Sequence, residues 1–201
     1  MKSLFGKLAL VLLVASASAA AYAQQTQNVV YGRTTITMSQ TFLNSLVRSG
    51  ATLTDLSGNT VTSAGNTFTA VAGALNTSSK AGEIFHTGGY VLAGAGQTVR
   101  VQDFDIDTTN TSRPVISALF VVNDTVYGRV VLFDLQATSS FMFTAMPGSG
   151  VANLSGITMS IDAAGANALN SIFGGPVTSA GTAVGTETQF VVLAATPTGS
   201  Q

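Results

Sequence analysis

His86 is the one histidine of the chain, and it stands in a glycine-rich stretch, Gly82-Glu83-Ile84-Phe85-His86-Thr87-Gly88-Gly89-Tyr90. Glycines beside an imidazole and a phenol let a ligand or another backbone approach closely. Histidine and tyrosinate are both iron ligands. His86 and Tyr90 are therefore candidate ligand contacts, set against the ordinary alternative of a hydrogen-bonded histidine on a strand. A second cluster, Asp103-Phe104-Asp105-Ile106-Asp107, begins like the D-x-D-x-D of a calcium loop. Its continuation departs from that loop, with Thr108 where a glycine is required and Pro114 where a bidentate glutamate is required. On a strand, Asp103, Asp105 and Asp107 would share one face and Phe104 and Ile106 the other. That row is either a Ca2+ site of the low-affinity extracellular kind or a solvated face that protects a sheet edge. Arg33, Arg100, Arg113 and Arg129 are available to meet carboxylates.

Other chemistry is missing from the sequence. There is no cysteine nucleophile, no G-x-S-x-G elbow, no phosphate-binding P-loop and no G-x-G-x-x-G turn. One histidine cannot build a multi-histidine zinc site. A Ser–His–Asp triad would have to run through His86, and nothing in the spacing fixes a serine or an acid beside it. The expectation is a protein that is not an enzyme.

These residues belong to a chain with export features. Lys2 and Lys7 precede the apolar run Leu8–Val14, and Ala21-Tyr22-Ala23 supplies the small residues that signal peptidase accepts. The run is far shorter than the roughly 20 apolar residues that span a bilayer. The reading is a signal peptide over 1–23, cleavage after Ala23, and one β-rich domain over 24–201, secreted or periplasmic. Without Lys2 and Lys7 the chain keeps 6 of its 8 basic residues against 9 acidic ones. That balance offers no basic footprint for nucleic acid. Charged residues make up only 8% and apolar ones 46%, so the chain can bury a core and must clothe it in Thr, Ser, Asn, Gln and Gly.

β-Branched runs bounded by turn residues predict strands over 28–38, 67–75, 83–93, 98–107, 115–122, 125–135, 140–145, 156–160 and 182–194. Two short helices are predicted: 40–47, capped by Ser39 with Phe42, Leu43 and Leu46 as its apolar stripe, and 163–173, capped by Asp162 and stopped at Gly174-Gly175-Pro176. Asn123-Asp124 separates two apolar runs as a hairpin turn. The run Val115–Val122 is apolar on both faces, which places it at the sheet centre. The fold class that follows is mainly β, an antiparallel sandwich-like or strongly curved sheet with two short helices. An outer-membrane barrel fits less well, because the chain has no Trp and only four Tyr to form aromatic girdles. The chain also echoes itself. Ile36-Thr37-Met38-Ser39, Leu43-Asn44-Ser45-Leu46 and Val61-Thr62-Ser63-Ala64-Gly65 return in order as Ile157-Thr158-Met159-Ser160, Leu169-Asn170-Ser171-Ile172 and Val177-Thr178-Ser179-Ala180-Gly181. This suggests a strand–helix–turn–strand pseudo-repeat over 36–65 and 157–181. Val30-Tyr31-Gly32-Arg33 and Val126-Tyr127-Gly128-Arg129 form a second echo, which suggests similar strands with a bulge at the glycine.

In this order the segments resemble the HtaA-like domain family, secreted bacterial domains linked to haem uptake. The resemblance spans most of Tyr31 to Gly185. It rests on the first strand and helix, Gly73-Ala74-Leu75, the segment from Gly82 to Gly89 with its histidine, Val101-Gln102-Asp103-Phe104, and the helix entered through Met159–Leu169. The resemblance implies that His86 and a tyrosine such as Tyr31 contact haem. The functional expectation is an exported binding module for a small ligand, with haem as the specific candidate, or for a surface component. The competing expectation is a structural or adhesive surface protein with no small ligand.

Overall fold

A computed structural model describes residues 26–137, 141–146 and 149–195. The expected signal peptide and its cleavage point lie outside the described residues. The chain forms β1 (Thr26–Met38), α1 (Gln40–Arg48), β2 (Thr52–Asp55), β3 (Asn66–Asn76), β4 (Gly82–Thr87), β5 (Gly89–Gly94), β6 (Gln97–Asp107), β7 (Val115–Val122), β8 (Thr125–Ala137), β9 (Phe141–Met146), β10 (Ser149–Ile161), α2 (Ala163–Phe173) and β11 (Ala183–Ala195).

The protein is mainly β with two helices, and its sheet is closed. The ladder runs β1–β3–β4–β6–β7–β8–β10–β11 and returns to β1, with every pairing antiparallel. The expected antiparallel, strongly curved sheet takes the more specific form of an eight-stranded barrel, closed where β6 meets β7 from Val99↔Val122 to Asp107↔Val115. Three short strands extend the wall: β5 and then β2 beside the first half of β6, and β9 beside the first half of β10. The long strand expected over 83–93 divides at Gly88, whose φ of +105° bends the chain between β4, paired with β3 and β6, and β5, paired with β6 and β2.

Apolar side chains turn inward. Val99, Val101, Ile116, Phe120, Ala152, Val191 and Leu193 are at most 1% exposed. Thr35, Thr37, Thr67, Thr69, Thr87 and Gln136 alternate with inward residues and point out. Val30, Tyr31, Val71, Phe85, Val126 and Tyr127 are exposed as well. Among the described residues no helix is long and apolar enough to cross a membrane.

The hairpin turn at Asn123-Asp124 has φ values of +46° and +67°. It joins Val122 directly to Thr125, the mirror-image turn that suits the right-handed twist of two strands. The bulges expected at the echoed glycines fall instead one or two residues before them, with register shifts at Val30 on β1 and at Tyr127 on β8.

The helices begin where they were expected. Ser39 Oγ accepts from the Phe42 amide at 3.1 Å, and Asp162 accepts from the Ala164 amide at 2.7 Å. Gly174, in the left-handed region at φ +68°, ends α2. β1 and β10 both run antiparallel to β11, so the helices that follow them leave the barrel at the same end. Phe42 and Leu46 of α1 and Leu169 of α2 meet Met38, Tyr90, Leu132 and Ile161 there, around a void of about 30 Å3. The β3–β4 turn and the β6–β7 loop lie at the other end.

α2 sits against β8 because Gly165 lets it. A Cβ there would lie 2.9 Å from the Leu132 carbonyl oxygen and 3.0 Å from its Cα. Gly165→Val should cost about 1–3 kcal/mol of unfolding free energy, the usual effect of overpacking. Gly175→Ala, where a Cβ meets nothing within 4 Å, should stay within about 0.5 kcal/mol of the parent. Urea denaturation of the two variants checks both, and equal stabilities would remove the close contact from the account.

Candidate functional site

His86 points into the barrel from β4 and is 2% exposed. Its Nδ1 lies 3.0 Å from the Ile84 carbonyl oxygen, and its Nε2 lies 2.8 Å from Thr34 Oγ1 on β1. A carbonyl can only accept, so Nδ1 carries the proton and Nε2 accepts from the threonine hydroxyl. β3 stands between the two strands, and its residue facing His86 is the small Ala70, which leaves the imidazole room to reach Thr34. Burial pushes the imidazole down to about 4, against a smaller upward pull from backbone hydrogen bonds at Ile84 and Phe104. The ring is neutral at neutral pH.

Tyr90 is also 2% exposed. Its ring meets Phe68 edge-on at 5.2 Å and Phe104 at 5.8 Å, and Phe68 meets Phe104 at 5.0 Å. The phenol oxygen has no hydrogen-bond partner among the described residues, and burial raises its pKa above the ordinary phenol value. Tyr31 is 52% exposed on the outer face beside the Val30 bulge. The structure thus places His86 and Tyr90 inside the barrel, both next to Phe104, and Tyr31 outside it.

The aspartates are separated by a bulge. The register of β6 shifts between Gln102 and Asp105, with Asp103 at φ +54°. Beyond the bulge Phe104 and Ile106 turn inward as expected. Asp107 caps the following turn by accepting from the Thr109 amide at 2.8 Å. Asp105 lies beneath the outer surface, pushed up to about 6 by burial and the Glu83 and Asp107 carboxylates, with Arg129 pulling the other way. Among the described residues no three His, Asp or Glu side chains are arranged to hold a metal ion, so Asp103, Asp105 and Asp107 do not converge. Of the arginines, Arg100 pairs with Asp124 at 2.8 Å, and Arg113 with Asp134 at 3.0 Å and with Asp162. Arg33 lies over the Phe190 ring at 5.8 Å.

The most unusual side chains are ones that motif reading passed over. Glu187 on β11 is 0% exposed, between Ile36 of β1 and Ile157 of β10. Neither carboxyl oxygen has a partner among the described residues, and burial pushes the group up to about 8. Gln189, the next inward residue and the register partner of Thr34, is 2% exposed, and its Nε2 is likewise unpartnered. The signal was present in Thr186-Glu187-Thr188-Gln189-Phe190-Val191-Val192-Leu193. Period-2 alternation puts Glu187 and Gln189 in the same row as Val191 and Leu193, the buried row.

Gln189 forms part of a pocket of about 130 Å3 at the end of the barrel away from the helices. Ile106, Pro114, Leu135, Leu154 and Ile157 supply its apolar wall, with Ser79, Lys80, Thr108 and Thr111 from the turn and loop that rim it. A wider hollow of about 480 Å3 lies on the outer side of β3 and β4 around Gly73, Gly82, Glu83 and Phe85. It is open to solvent and holds none of the unpartnered buried groups. The smaller pocket is the candidate binding site.

Glu187 and His86 make opposite contributions to stability as pH changes. Glu187 titrates near 8 when folded and near 4.5 when unfolded, so it loses stability as pH rises through that interval. His86, near 4 folded and 6.5 unfolded, gains stability over its interval as pH rises. Asp105, at about 6 folded, acts like Glu187 but has nearly finished titrating by pH 7. Between pH 7 and 8 the Glu187 effect outweighs the remaining tail of the His86 titration, with a slope of at most about 1.4 kcal/mol per pH unit. Unfolding free energy should fall over that range in the parent protein and stay level in Glu187→Gln. Urea titrations at several pH values measure this, and equal slopes in the two proteins would mean that Glu187 ionises normally.

No family model matches the chain, and no curated protein does. Solved structures match it by shape. The C-terminal domain of HtaA from Corynebacterium glutamicum superposes with a TM-score of 0.60 at 18% identity, over 83% of this chain and 99% of that one. The domain-swapped dimer of a histidine-to-alanine variant of the same domain gives a TM-score of 0.49 at 16% identity, over 74% and 88% of the two chains. The resemblance read from the order of the segments is therefore a resemblance of fold: this chain is built like the C-terminal domain of HtaA.

Proposed function

We propose that the protein is an exported, non-catalytic barrel that binds a small, mainly apolar ligand in the pocket beside the β6–β7 loop. One observation carries this reading: a pocket of about 130 Å3 with an apolar wall of Ile106, Pro114, Leu135, Leu154 and Ile157 opens at the end of the barrel away from the helices. A few well-placed polar groups in an apolar hollow are the ordinary make-up of a ligand site. The export reading is supported by the basic start, short apolar run and Ala21-Tyr22-Ala23 of the first 23 residues. The non-catalytic reading is supported by His86, whose two nitrogens are committed to Ile84 and Thr34.

Haem is the specific ligand that the family resemblance implies, through His86. Nε2, the nitrogen that would ligate iron, accepts from Thr34, so haem ligation requires His86 to give up that bond. The pocket of about 130 Å3 is smaller than a porphyrin, so haem would need another opening.

Two titrations test the proposal. Small apolar compounds added to the purified protein should shift the methyl NMR signals of Leu135, Leu154 and Ile157 in a saturable way, and Leu154→Trp, which fills the pocket, should abolish the effect. Haemin should produce a Soret shift that disappears in His86→Ala if haem is the ligand. Methyl shifts scattered over the surface, or none, together with an unchanged haemin spectrum, would overturn the binding reading.

A further inference from the structure

We infer that β9 is a docking edge for a second copy of this chain, the two β9 strands pairing antiparallel about a two-fold axis. Two strands of the sheet have a single partner: β2, which pairs with β5, and β9, which pairs with β10. A strand with one partner turns alternate amides and carbonyls towards whatever lies beside it. The chain treats the two edges differently. β2 is 4 residues long, and the segment after it folds back along its free side. Thr54 bridges Thr60, the Asp55 amide donates to the Asn59 carbonyl at 2.8 Å, and the Val61 amide donates to the Leu53 carbonyl at 3.2 Å. β9 is 6 residues long, Phe141-Met142-Phe143-Thr144-Ala145-Met146. Among the described residues only β10 pairs with it, and no other element makes more than marginal contact with it.

The backbone selects the occupant. A row of amides and carbonyls at strand spacing is satisfied along its length by another extended strand. Charge narrows the choice. From Leu135 to Ile161 the chain has no Asp, Glu, Lys, Arg or His. The charges and prolines that keep sheet edges apart are therefore missing from β9. A charged peptide would find no counterion along this edge. A second β9 is extended, uncharged and rich in strand-forming residues, so it meets its own likeness without repulsion. An axis normal to the sheet makes the contact isologous and closed, and association stops at two. That axis sets residues of equal parity opposite one another, with Thr144 across from Met142 or Thr144 of the second copy. A strand of this length spans about 20 Å, and such a pairing falls short of a standard interface. The dimer is therefore weak and dependent on concentration.

Sedimentation velocity of the purified protein between about 10 μM and about 1 mM should show a monomer–dimer equilibrium at the upper end. Thr144 pairs with Val151, outside the buried row of Gly150 and Ala152, so a lysine there leaves that row alone. Thr144→Lys should weaken dimerisation about 10-fold or more, because an edge lysine opposes pairing and each dimer carries two. Thr69→Lys adds the same charge at an exposed position of β3, which has partners on both sides, and should dimerise like the parent. A mixture of 13C-labelled and unlabelled parent protein reports the contact without any variant: intermolecular Hα–Hα signals should join residues of β9. A protein that stays monomeric over the whole range overturns the inference. So does a dimer that Thr144→Lys and Thr69→Lys alter equally, or one whose intermolecular signals lie on β2 or around the exposed Tyr31 and Val71. Protection of every β9 amide from exchange in the monomer, rather than of alternate ones, would show that the chain covers this edge itself and would also sink the idea.

Discussion

The hydrogen-bonded seam between β6 and β7 turns a sheet into a closed wall, and every inward side chain is thereby cut off from water. An open sheet could leave one edge wet and let a glutamate or a histidine reach solvent around it. A closed barrel of eight strands has an interior just wide enough to be filled by side chains. Each polar residue in an inward row must then find a partner inside, change its protonation, or stay unsatisfied. The properties of the site follow from that constraint.

All three outcomes occur within a few residues of one another. His86 finds partners: Thr34 and the Ile84 carbonyl satisfy both ring nitrogens, and the small Ala70 clears the path between the strands. Glu187 changes protonation: with no partner for either oxygen, the neutral acid is the form that burial allows. Gln189 cannot change protonation and has no partner for its Nε2 among the described residues, which leaves an unmet donor in the barrel interior. Thr34 and Gln189 are register partners, so the satisfied and unsatisfied parts of this polar strip adjoin one another across the β1–β11 ladder.

Local signals made much of the fold legible. Ser39 and Asp162 marked both helix starts, Gly174 marked one stop, and Asn123-Asp124 marked the central hairpin. These are features of a few adjacent residues, and neighbours in sequence decide them. Closure was not legible, because it depends on β6 meeting β4 and β5 on one side and β7 on the other, a matter of strand twist and stagger that no window of sequence contains. The apolar character of both faces of Val115–Val122 suggested a central strand. In the structure the two register shifts beside it put their extra residues, Leu132 and Tyr127, on β8, and β7 keeps its alternation with Ile116, Ala118 and Phe120 buried in one row. The bulge at Asp103 does disturb the row of aspartates. Strict alternation would have aligned them, and one extra residue breaks the row. Glu187 was the opposite case: its alternation is unbroken, and the row it falls in could have shown it to be buried.

The internal echo has a physical counterpart at β11. Ile36, Thr37 and Met38 pair with Glu187, Thr186 and Gly185 from one side, and Ile157, Thr158 and Met159 pair with the same three residues from the other. Two flanking strands thus face one template. Each must put a bulky apolar side chain on either side of the buried Glu187, expose a threonine beside Thr186, and bring a methionine to Gly185. Gly185 has no room for more than hydrogen, since a Cβ there would lie 2.0 Å from the Thr37 carbonyl oxygen. Each strand then ends in a capping residue and turns into a helix at the same end of the barrel. Equal demands on two strands by a shared neighbour are enough to make their sequences alike. They do not reach the five identical residues Val61–Gly65 and Val177–Gly181, which lie in connections beyond the helices and need a separate cause.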